Sequence, residues 1–388
     1  SLVYSILRPS LSYIRKNLNA ASQMAAIMGK QRGGRRASVP FSQRQGAAMR
    51  EYELEVLEQY DMEVKGTRKI RGAFFCDTSE GVMILKETRV SEKRAAIMYI
   101  ILSRLESEKN LKVDTPVFSR DGALVVSSRE GRKYMLKKWF AGRECDMKRE
   151  AEIVGAAETL AGLHRELHWS VPAGSERITC PAAERTPLEE MRRHNREMKK
   201  VRSFIRGRVA KNEFESLYLE NFEKMYAIAE RVTRRMEESG CGELFRRSVK
   251  EKQMVHGDYN YHNLIMLPQG TAVANFERAR IDIQVLDLCY FLRKVMEKYH
   301  WKQNLGREIL GAYETVRYMS KLEKDYIALY LAYPEKFWKT ASSYARSNKA
   351  WLPEKSVEKL QTAIRQTEEK RAFLETVFSV DLGNETGV

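Results

Sequence analysis

Apolar and polar positions divide the chain into a strand-rich stretch followed by a helical one. Short apolar runs bounded by turn residues predict strands at 71–76, 82–86, 123–127 and 133–139. Between the second and third of these runs, apolar residues recur at helical spacing for about fifteen residues, and Ser91 stands where a helix N-cap is expected. This order predicts a small antiparallel sheet that carries one helix.

The second part of the chain has mainly helical spacing. The pattern predicts a short amphipathic helix at 49–60 before the strands, and after them long helices at 150–167, at Glu213–Glu238 and over 305–377. His164 lies on the apolar face of the helix at 150–167, which is typical of a buried and hydrogen-bonded core histidine. The chain is therefore expected to belong to the α+β class, with a small β lobe and a larger helical lobe.

Composition adds a third segment at the N-terminal end. Residues 29–46 are rich in Arg, Gly, Ser and Gln and have few large apolar side chains, so they cannot bury enough surface to order themselves. We therefore expect a basic flexible extension at 1–48, the β lobe at 49–139 and the helical lobe at 140–388.

The charge balance indicates an acidic partner without naming it. The 388 residues carry a formal net charge of +16, which suits ATP, nucleic acid, an anionic glycan or an acidic protein surface. No apolar run approaches the roughly 18 to 20 residues that a membrane span requires, so we expect no membrane partner. The five cysteines show no CxxC spacing, which predicts reduced thiols in a cytoplasmic protein and neither a zinc site nor a disulfide framework.

Candidate chemistry is concentrated in one segment. His256, Asp258 and Asn263 stand in H-x-D-x-x-x-x-N spacing, flanked on both sides by apolar residues. Phosphoryl transfer needs a carboxylate that accepts the proton of the attacking hydroxyl and an amide oxygen that holds magnesium. Asp258 fits the catalytic carboxylate and Asn263 the metal ligand, while His256 would support the loop by hydrogen bonding.

The loop His256-Gly257-Asp258 followed by Asn263 resembles the aminoglycoside and choline phosphotransferase branch of the protein-kinase superfamily. Further blocks, spread over 49–377, look like the bacterial spore-coat CotS family. These blocks are Met49-Arg50-Glu51-Tyr52, Arg71-Gly72-Ala73, Lys138-Trp139 with Gly142-Arg143-Glu144, Leu160-Ala161-Gly162-Leu163-His164, Asp287-Leu288 with Phe291-Leu292-Arg293, and Tyr333-Pro334-Glu335-Lys336-Phe337-Trp338.

The resemblance implies a bilobal protein-kinase-like fold that uses ATP and Mg²⁺. It places Lys86 where the family has its ATP-phosphate lysine and leaves Glu92 as an acidic partner on the following helix. Asp287 resembles the structural aspartate that steadies the catalytic loop from the start of a helix. Asn275 stands where the family has a metal-binding aspartate, in the triplet Asn275-Phe276-Glu277. As a candidate metal ligand, Asn275 offers one neutral amide oxygen in place of a charged carboxylate.

Three hypotheses follow from these features. The first is a spore-coat-associated, kinase-like protein with weakened or lost ATP-dependent phosphorylation, which would meet other spore-coat proteins in the mother-cell cytoplasm and assemble on the coat. The second is an active ATP- and Mg²⁺-dependent kinase of a small-molecule or sugar hydroxyl. The third is a basic nucleic-acid-binding protein, which ranks last because the sequence has no recognisable nucleic-acid module.

Overall fold

The computed structural model describes residues 55–70, 72–173, 176–346 and 354–380. The predicted extension at 1–48 and the first part of the predicted helix at 49–60 lie outside these ranges. The chain forms two compact units. Of the described residues, the first unit contains those up to Cys145 together with those of 169–180 and His262–Ala279, and the second contains the others.

The first unit is built on a five-stranded antiparallel sheet with the strand order β1-β2-β3-β5-β4. Its strands are β1 (Val64–Ile70), β2 (Ala73–Thr78), β3 (Gly81–Glu87), β4 (Val126–Ser127) and β5 (Lys133–Lys138). The four predicted strands correspond to β2, β3, β4 and β5 and are confirmed. Strand β1 was not predicted, because nearly all of its residues are exposed and its sequence has no apolar alternation.

Register explains the two faces of this sheet. Phe74 pairs with Leu85 and Leu85 pairs with Leu136, and all three side chains belong to one buried apolar cluster. Because successive residues of a strand point to opposite faces, the next residue along β3 and β5 belongs to the other face. There Ile84 pairs with Lys137. The sheet therefore places a lysine on the face opposite its apolar cluster.

The predicted helix after β3 is α1 (Glu92–Lys109). Its N-cap is confirmed, since Ser91 accepts a hydrogen bond from the backbone N–H of Arg94. A second, three-stranded antiparallel sheet also belongs to the first unit. It consists of β6 (Arg143–Glu144), β8 (Leu264–Met266) and β9 (Thr271–Val273), in the order β6-β8-β9.

The second unit is mainly helical, as predicted. Its helices are α2 (Glu150–Glu166), α3 (Pro187–Arg206), α4 (Glu213–Glu238), α5 (Gly242–Glu251), α6 (Val285–Lys298), α7 (Gln303–Val316), α8 (Lys321–Ala332), α9 (Glu335–Arg346) and α10 (Glu354–Phe378). Capping boxes begin three of them, at Thr186, Asn212 and Ser320, which satisfies backbone N–H groups that a helix start otherwise leaves unpaired. Strand β7 (Met254–Val255) pairs with β10 (Arg280–Ile281).

The predicted α+β class with a small antiparallel lobe and a larger helical one is confirmed. The predicted lobes, 49–139 and 140–388, are continuous in sequence, whereas the compact units interleave. The chain passes into the second unit after Cys145, and His262–Ala279 returns to the first. Among the helices described, none combines the length and the apolar character that crossing a bilayer requires.

Candidate functional site

The hairpin of β8 and β9 brings the two predicted metal ligands together. Leu264 pairs with Val273, and the backbone N–H of Ala274 donates to the carbonyl oxygen of Asn263 at 2.9 Å. The residues just beyond both strands therefore meet at the open end of the hairpin. The Asn275 side-chain Nδ2–H donates to Asn263 Oδ1 at 2.7 Å. Asn275 is therefore hydrogen-bonded to the oxygen through which Asn263 would bind a metal ion.

Asn275 has the left-handed backbone conformation, with φ 67° and ψ 55°. Asparagine is one of the few residues with a side chain that adopts this region readily. The conformation ends the hairpin and begins a short 3₁₀ turn, Phe276–Arg278, in which Phe276 is buried. The Asn275 backbone N–H donates to Oδ2 of Asp114 at 2.9 Å.

Asp114 is held between the two sheets of the first unit. The backbone N–H of Val273 donates to the carbonyl of Lys112, and the N–H of Lys138 donates to the carbonyl of Thr115, both at 2.9 Å. These two bonds fix the segment 112–115 between β9 and β5, and Asp114 is fully buried there. A buried carboxylate requires charged or hydrogen-bonding partners.

Lys137 on β5 supplies the opposite charge. Its Nζ lies 2.7 Å from Asp114 Oδ2, 3.5 Å from Asn275 Oδ1 and 3.7 Å from Glu277 Oε1. The Lys137 side chain is 2% exposed and that of Glu277 is 36% exposed. The ammonium is therefore enclosed by oxygen atoms, two of which belong to the triplet at the predicted metal position.

A divalent metal does not fit this donor set. Mg²⁺ requires near-octahedral oxygen ligands at 2.0–2.1 Å, yet Asn263 Oδ1 and Asp114 Oδ2 accept hydrogen bonds from the chain itself. A doubly charged ion about 4 Å from the Lys137 ammonium would be repelled by roughly 8 kcal/mol at an effective dielectric constant of about 20. Across the described ranges, no group of three or more His, Cys, Asp and Glu side chains is arranged to hold a metal ion.

Lys86, the predicted phosphate ligand, lies exposed near the end of β3. It stands two residues after Ile84, which pairs with Lys137, so the register places both lysines on one face of the sheet. Glu92 opens α1, and its Oε2 is buried without a hydrogen-bond partner among the described residues. The structure does not bring Lys86 and Glu92 together as an ion pair within those residues, and their cofactor-binding roles stay predictions.

Helix α1 contacts the triplet through another residue, Arg94. Its Nε donates to the carbonyl of Glu277 at 2.9 Å, and its Nη2 donates to the carbonyl of Ala279. This side chain ties the 3₁₀ turn after Asn275 to the first helix.

Sequence reasoning missed Arg94, Asp114 and Lys137. Lys137 alone gave a signal, since it follows Leu136 inside a predicted strand at a position that alternation assigns to a sheet face.

The catalytic-loop candidate belongs to the second unit, where Asp287 of α6 holds it. The backbone N–H groups of His256 and Gly257 donate to the two carboxylate oxygens of Asp287, at 2.6 and 2.9 Å. The N–H of Asp258 donates to Nδ1 of His256 at 3.1 Å. The predicted supporting roles of Asp287 and His256 are confirmed. Asp258 Oδ1 itself accepts a hydrogen bond from the Asn260 side chain at 3.0 Å.

His164 completes the support of this loop. Its Nε2 lies 3.2 Å from Asp287 Oδ2 and its Nδ1 lies 2.7 Å from the Tyr313 hydroxyl, which confirms the predicted core histidine. Burial lowers the pKa of His164, more than the neighbouring carboxylate raises it. The ring is then neutral, so Nε2–H donates to Asp287 and Nδ1 accepts from Tyr313. Burial raises the pKa of Asp287, but the hydrogen bonds that its carboxylate accepts from the His164 side chain and the Gly257 backbone help to lower it, and the net change is a decrease.

Together, a small antiparallel sheet with one helix, a helical unit and a loop anchored by a buried aspartate define a protein of the kinase-like phosphotransferase class. The sequence model described as "Spore coat putative kinase YutH" matches residues 53–377. The chain belongs to this family, which confirms the spore-coat, kinase-like resemblance. A comparison with curated proteins finds no match.

Solved structures confirm the fold. An aminoglycoside phosphotransferase from Alicyclobacillus acidocaldarius is 18% identical and has a TM-score of 0.72, over 89% of this chain and 98% of that one. A spectinomycin phosphotransferase in complex with ADP and spectinomycin is 13% identical with a TM-score of 0.55, over 82% and 97% of the two chains. A microcompartment-associated aminopropanol kinase is 15% identical with a TM-score of 0.51, over 85% and 99%.

Proposed function

We propose that this chain is a spore-coat-associated, kinase-like protein in which magnesium-dependent phosphoryl transfer is weakened or lost. One observation carries the proposal: Asn275, at the position of the metal-binding aspartate, donates to Asn263 Oδ1 and has the Lys137 ammonium 3.5 Å from its own oxygen. The two amides that would coordinate magnesium are instead engaged with the chain.

The chemical consequence concerns charge. In kinases, metal ions bridge the phosphates of ATP and neutralise the charge that develops on the transferred group, and this electrostatic contribution is a large part of the catalysis. Asn275 cannot contribute a carboxylate to that task. An ammonium also attracts phosphate oxygens. It is a single point charge, however, and it cannot bridge two phosphate groups as a divalent ion does.

Family membership supports the assignment to the spore coat, and we propose that the protein functions there with other spore-coat proteins, after synthesis in the mother-cell cytoplasm. We further propose that ATP is its nucleotide, because a neighbour of the same fold was determined with ADP and because Lys86 shares a sheet face with Lys137. We do not extend the proposal to nucleic acid, since net charge alone motivates it.

One feature favours a second candidate function. Two backbone hydrogen bonds to Asp287 hold the start of the loop that carries Asp258, as a working catalytic loop would require. The alternative is therefore an active kinase of a small-molecule or sugar hydroxyl, with Asp258 accepting the hydroxyl proton.

The two candidates differ in ATP turnover. We would measure phosphate release and transfer from ATP with Mg²⁺, comparing the unaltered chain with Asp258→Ala. The first candidate, with weakened or lost transfer, predicts turnover less than tenfold above that of Asp258→Ala. Turnover at least tenfold above that variant, with both proteins folded by circular dichroism, would establish the active kinase and overturn the proposal.

A further inference from the structure

The Lys137 ammonium has surroundings that differ from those of an ordinary buried ion pair. A single carboxylate partner, Asp114, would be enough to balance its charge. Yet Asn275 Oδ1 and Glu277 Oε1 also face the ammonium, at 3.5 and 3.7 Å. These oxygens come from the strand-end triplet in which kinases place a metal ligand. The ammonium is therefore surrounded as a metal ion would be, by oxygens from separate segments of the chain.

Formal charges support this comparison. Asp114 and Glu277 together contribute two negative charges, which would balance one divalent cation. With the Lys137 ammonium present, one of those charges is already neutralised, and the remaining acid is the more exposed one. A divalent ion added beside Lys137 would leave an excess of positive charge in a buried place, which is unfavourable.

We propose that the chain supplies its own cation at this site: the Lys137 ammonium, held by Asp114, Asn275 and Glu277, stands in place of a divalent metal and excludes it. This inference rests on the proposed function, since it gives the physical reason why metal-dependent transfer is weakened. The site then needs no metal to be complete.

The oxygen atoms around Lys137 allow a test with metal ions. Removing the ammonium leaves Asp114, Glu277 and the Asn275 amide oxygen around a gap without positive charge. Asp114 Oδ1 has no hydrogen-bond partner among the described residues, so the carboxylate can offer this oxygen to an ion. Ca²⁺ tolerates irregular oxygen geometry better than Mg²⁺ does, so both ions are used as probes.

The experiment follows thermal unfolding of the full chain during titration with CaCl₂ or MgCl₂, without nucleotide. The variant is Lys137→Met and the matched control is Lys138→Met, which removes a neighbouring lysine that pairs with Glu106. We expect a saturable rise in Tm of at least about 3 °C for Lys137→Met with one of the two ions. The unaltered chain and Lys138→Met should show no such rise. A folded Lys137→Met without a metal response, or an equal response in all three proteins, would overturn the inference.

A second variant keeps the test decisive if Lys137→Met does not fold. Asn275→Asp adds a carboxylate while retaining the ammonium, and aspartate tolerates the left-handed backbone there. The inference predicts that the new carboxylate pairs with Lys137 and that Tm remains independent of both ions. A saturable metal response in Asn275→Asp would show that Lys137 does not exclude the metal.

The metal-response experiment and the ATP-turnover experiment can fail independently. Turnover of ATP at least tenfold above the Asp258→Ala level would refute the proposed function, whereas the inference depends on the metal response of Lys137→Met and Asn275→Asp. A metal response in Asn275→Asp combined with no turnover in the unaltered chain would refute the inference alone.

Discussion

Asn275 donates its side-chain N–H to Asn263 Oδ1 at 2.7 Å, so the two predicted magnesium ligands bind each other. An aspartate at position 275, which the family resemblance leads us to expect there, would have no N–H to donate and would offer a charged oxygen to a cation. Asn275 instead gives this position a neutral side chain that donates a hydrogen bond. Its effect extends to Lys137, whose ammonium faces the remaining oxygen of Asn275.

The Lys137–Asp114 pair should be sensitive to removal of one partner. Lys137→Met leaves Asp114 buried without its charged partner, so we expect the free energy of unfolding to fall by about 3–5 kcal/mol. Lys138→Met removes a partly exposed pair with Glu106 and should cost no more than about 1 kcal/mol. Urea denaturation measures both values. Equal losses in the two variants would contradict the role of burial in this pair.

Asp287 should matter for stability as well as for the loop. In Asp287→Asn an N–H₂ group replaces one of the two carboxylate oxygens. This group cannot accept a hydrogen bond, so the backbone N–H of either His256 or Gly257 loses its acceptor. Because hydrogen bonds to charged groups contribute about 1.5–3 kcal/mol, we expect a loss of about 3 kcal/mol in urea unfolding. Asp61→Asn, at a side chain that is 95% exposed, provides the control and should change stability by less than about 0.5 kcal/mol. A loss below 1 kcal/mol at Asp287 would argue against this anchoring.

Strand β6 depends on a glycine. A Cβ added at Gly142 would lie 2.5 Å from the carbonyl oxygen of Met266 and 2.7 Å from Ile265, so Gly142→Ala should destabilise the protein by about 1–3 kcal/mol. Gly155 in α2 has open space around the same position, and Gly155→Ala should stabilise by about 0.5–1 kcal/mol. Opposite signs in paired denaturation curves are the expected result. Two changes of the same sign would show that the approach of β6 to β8 is looser than described.

Because of the surroundings of His194, we expect the free energy of unfolding to fall at acid pH. Burial, and after it the charge of Arg193, lowers the pKa of His194 from 6.5 to about 4 against the opposing effect of Glu190. Between these two pKa values the unfolded chain binds a proton that the folded protein does not, so stability is complete above pH 6.5 and falls with decreasing pH. The expected loss is about 2 kcal/mol from pH 6.5 to pH 5.

The variant His194→Gln should reduce that slope, measured as the free energy of unfolding at several pH values. Asn195→Ala is the matched control, since it removes a buried, non-titrating neighbour that bonds Thr233 and Tyr333. It should lower stability by a similar amount at each pH. An unchanged slope in His194→Gln would show that His194 is not the titrating group.

The sequence predicted most of the fold because its signals are local. Short apolar runs bounded by turn residues located the strands from β2 to β5. Ser91 marked a helix start, and the spacing of His256, Asp258 and Asn263 located the loop. Strand β1 gave no such signal because its residues are nearly all exposed. Its place in the sheet comes from backbone pairing with β2, which side-chain patterns do not reveal.

The central contacts of the site could not be predicted for a different reason. Lys137 meets Asn275 only after the hairpin of β8 and β9 returns to the first unit, a separation of 138 residues. The contact of Arg94 with the carbonyl of Glu277 spans 183 residues. Local propensity contains no information on such contacts. They depend on tertiary packing, and a lysine inside a strand is otherwise indistinguishable from a surface lysine.

Calorimetric titration of ATP into the unaltered chain, once with Mg²⁺ and once with EDTA, tests most directly whether Lys137 takes the place of the metal. If Lys137 takes the place of the metal, the two titrations should agree within about threefold in affinity, a difference of about 0.7 kcal/mol, or should both show no binding. Binding with Mg²⁺ that weakens more than about tenfold in EDTA would contradict the account, because the metal would then be part of the site.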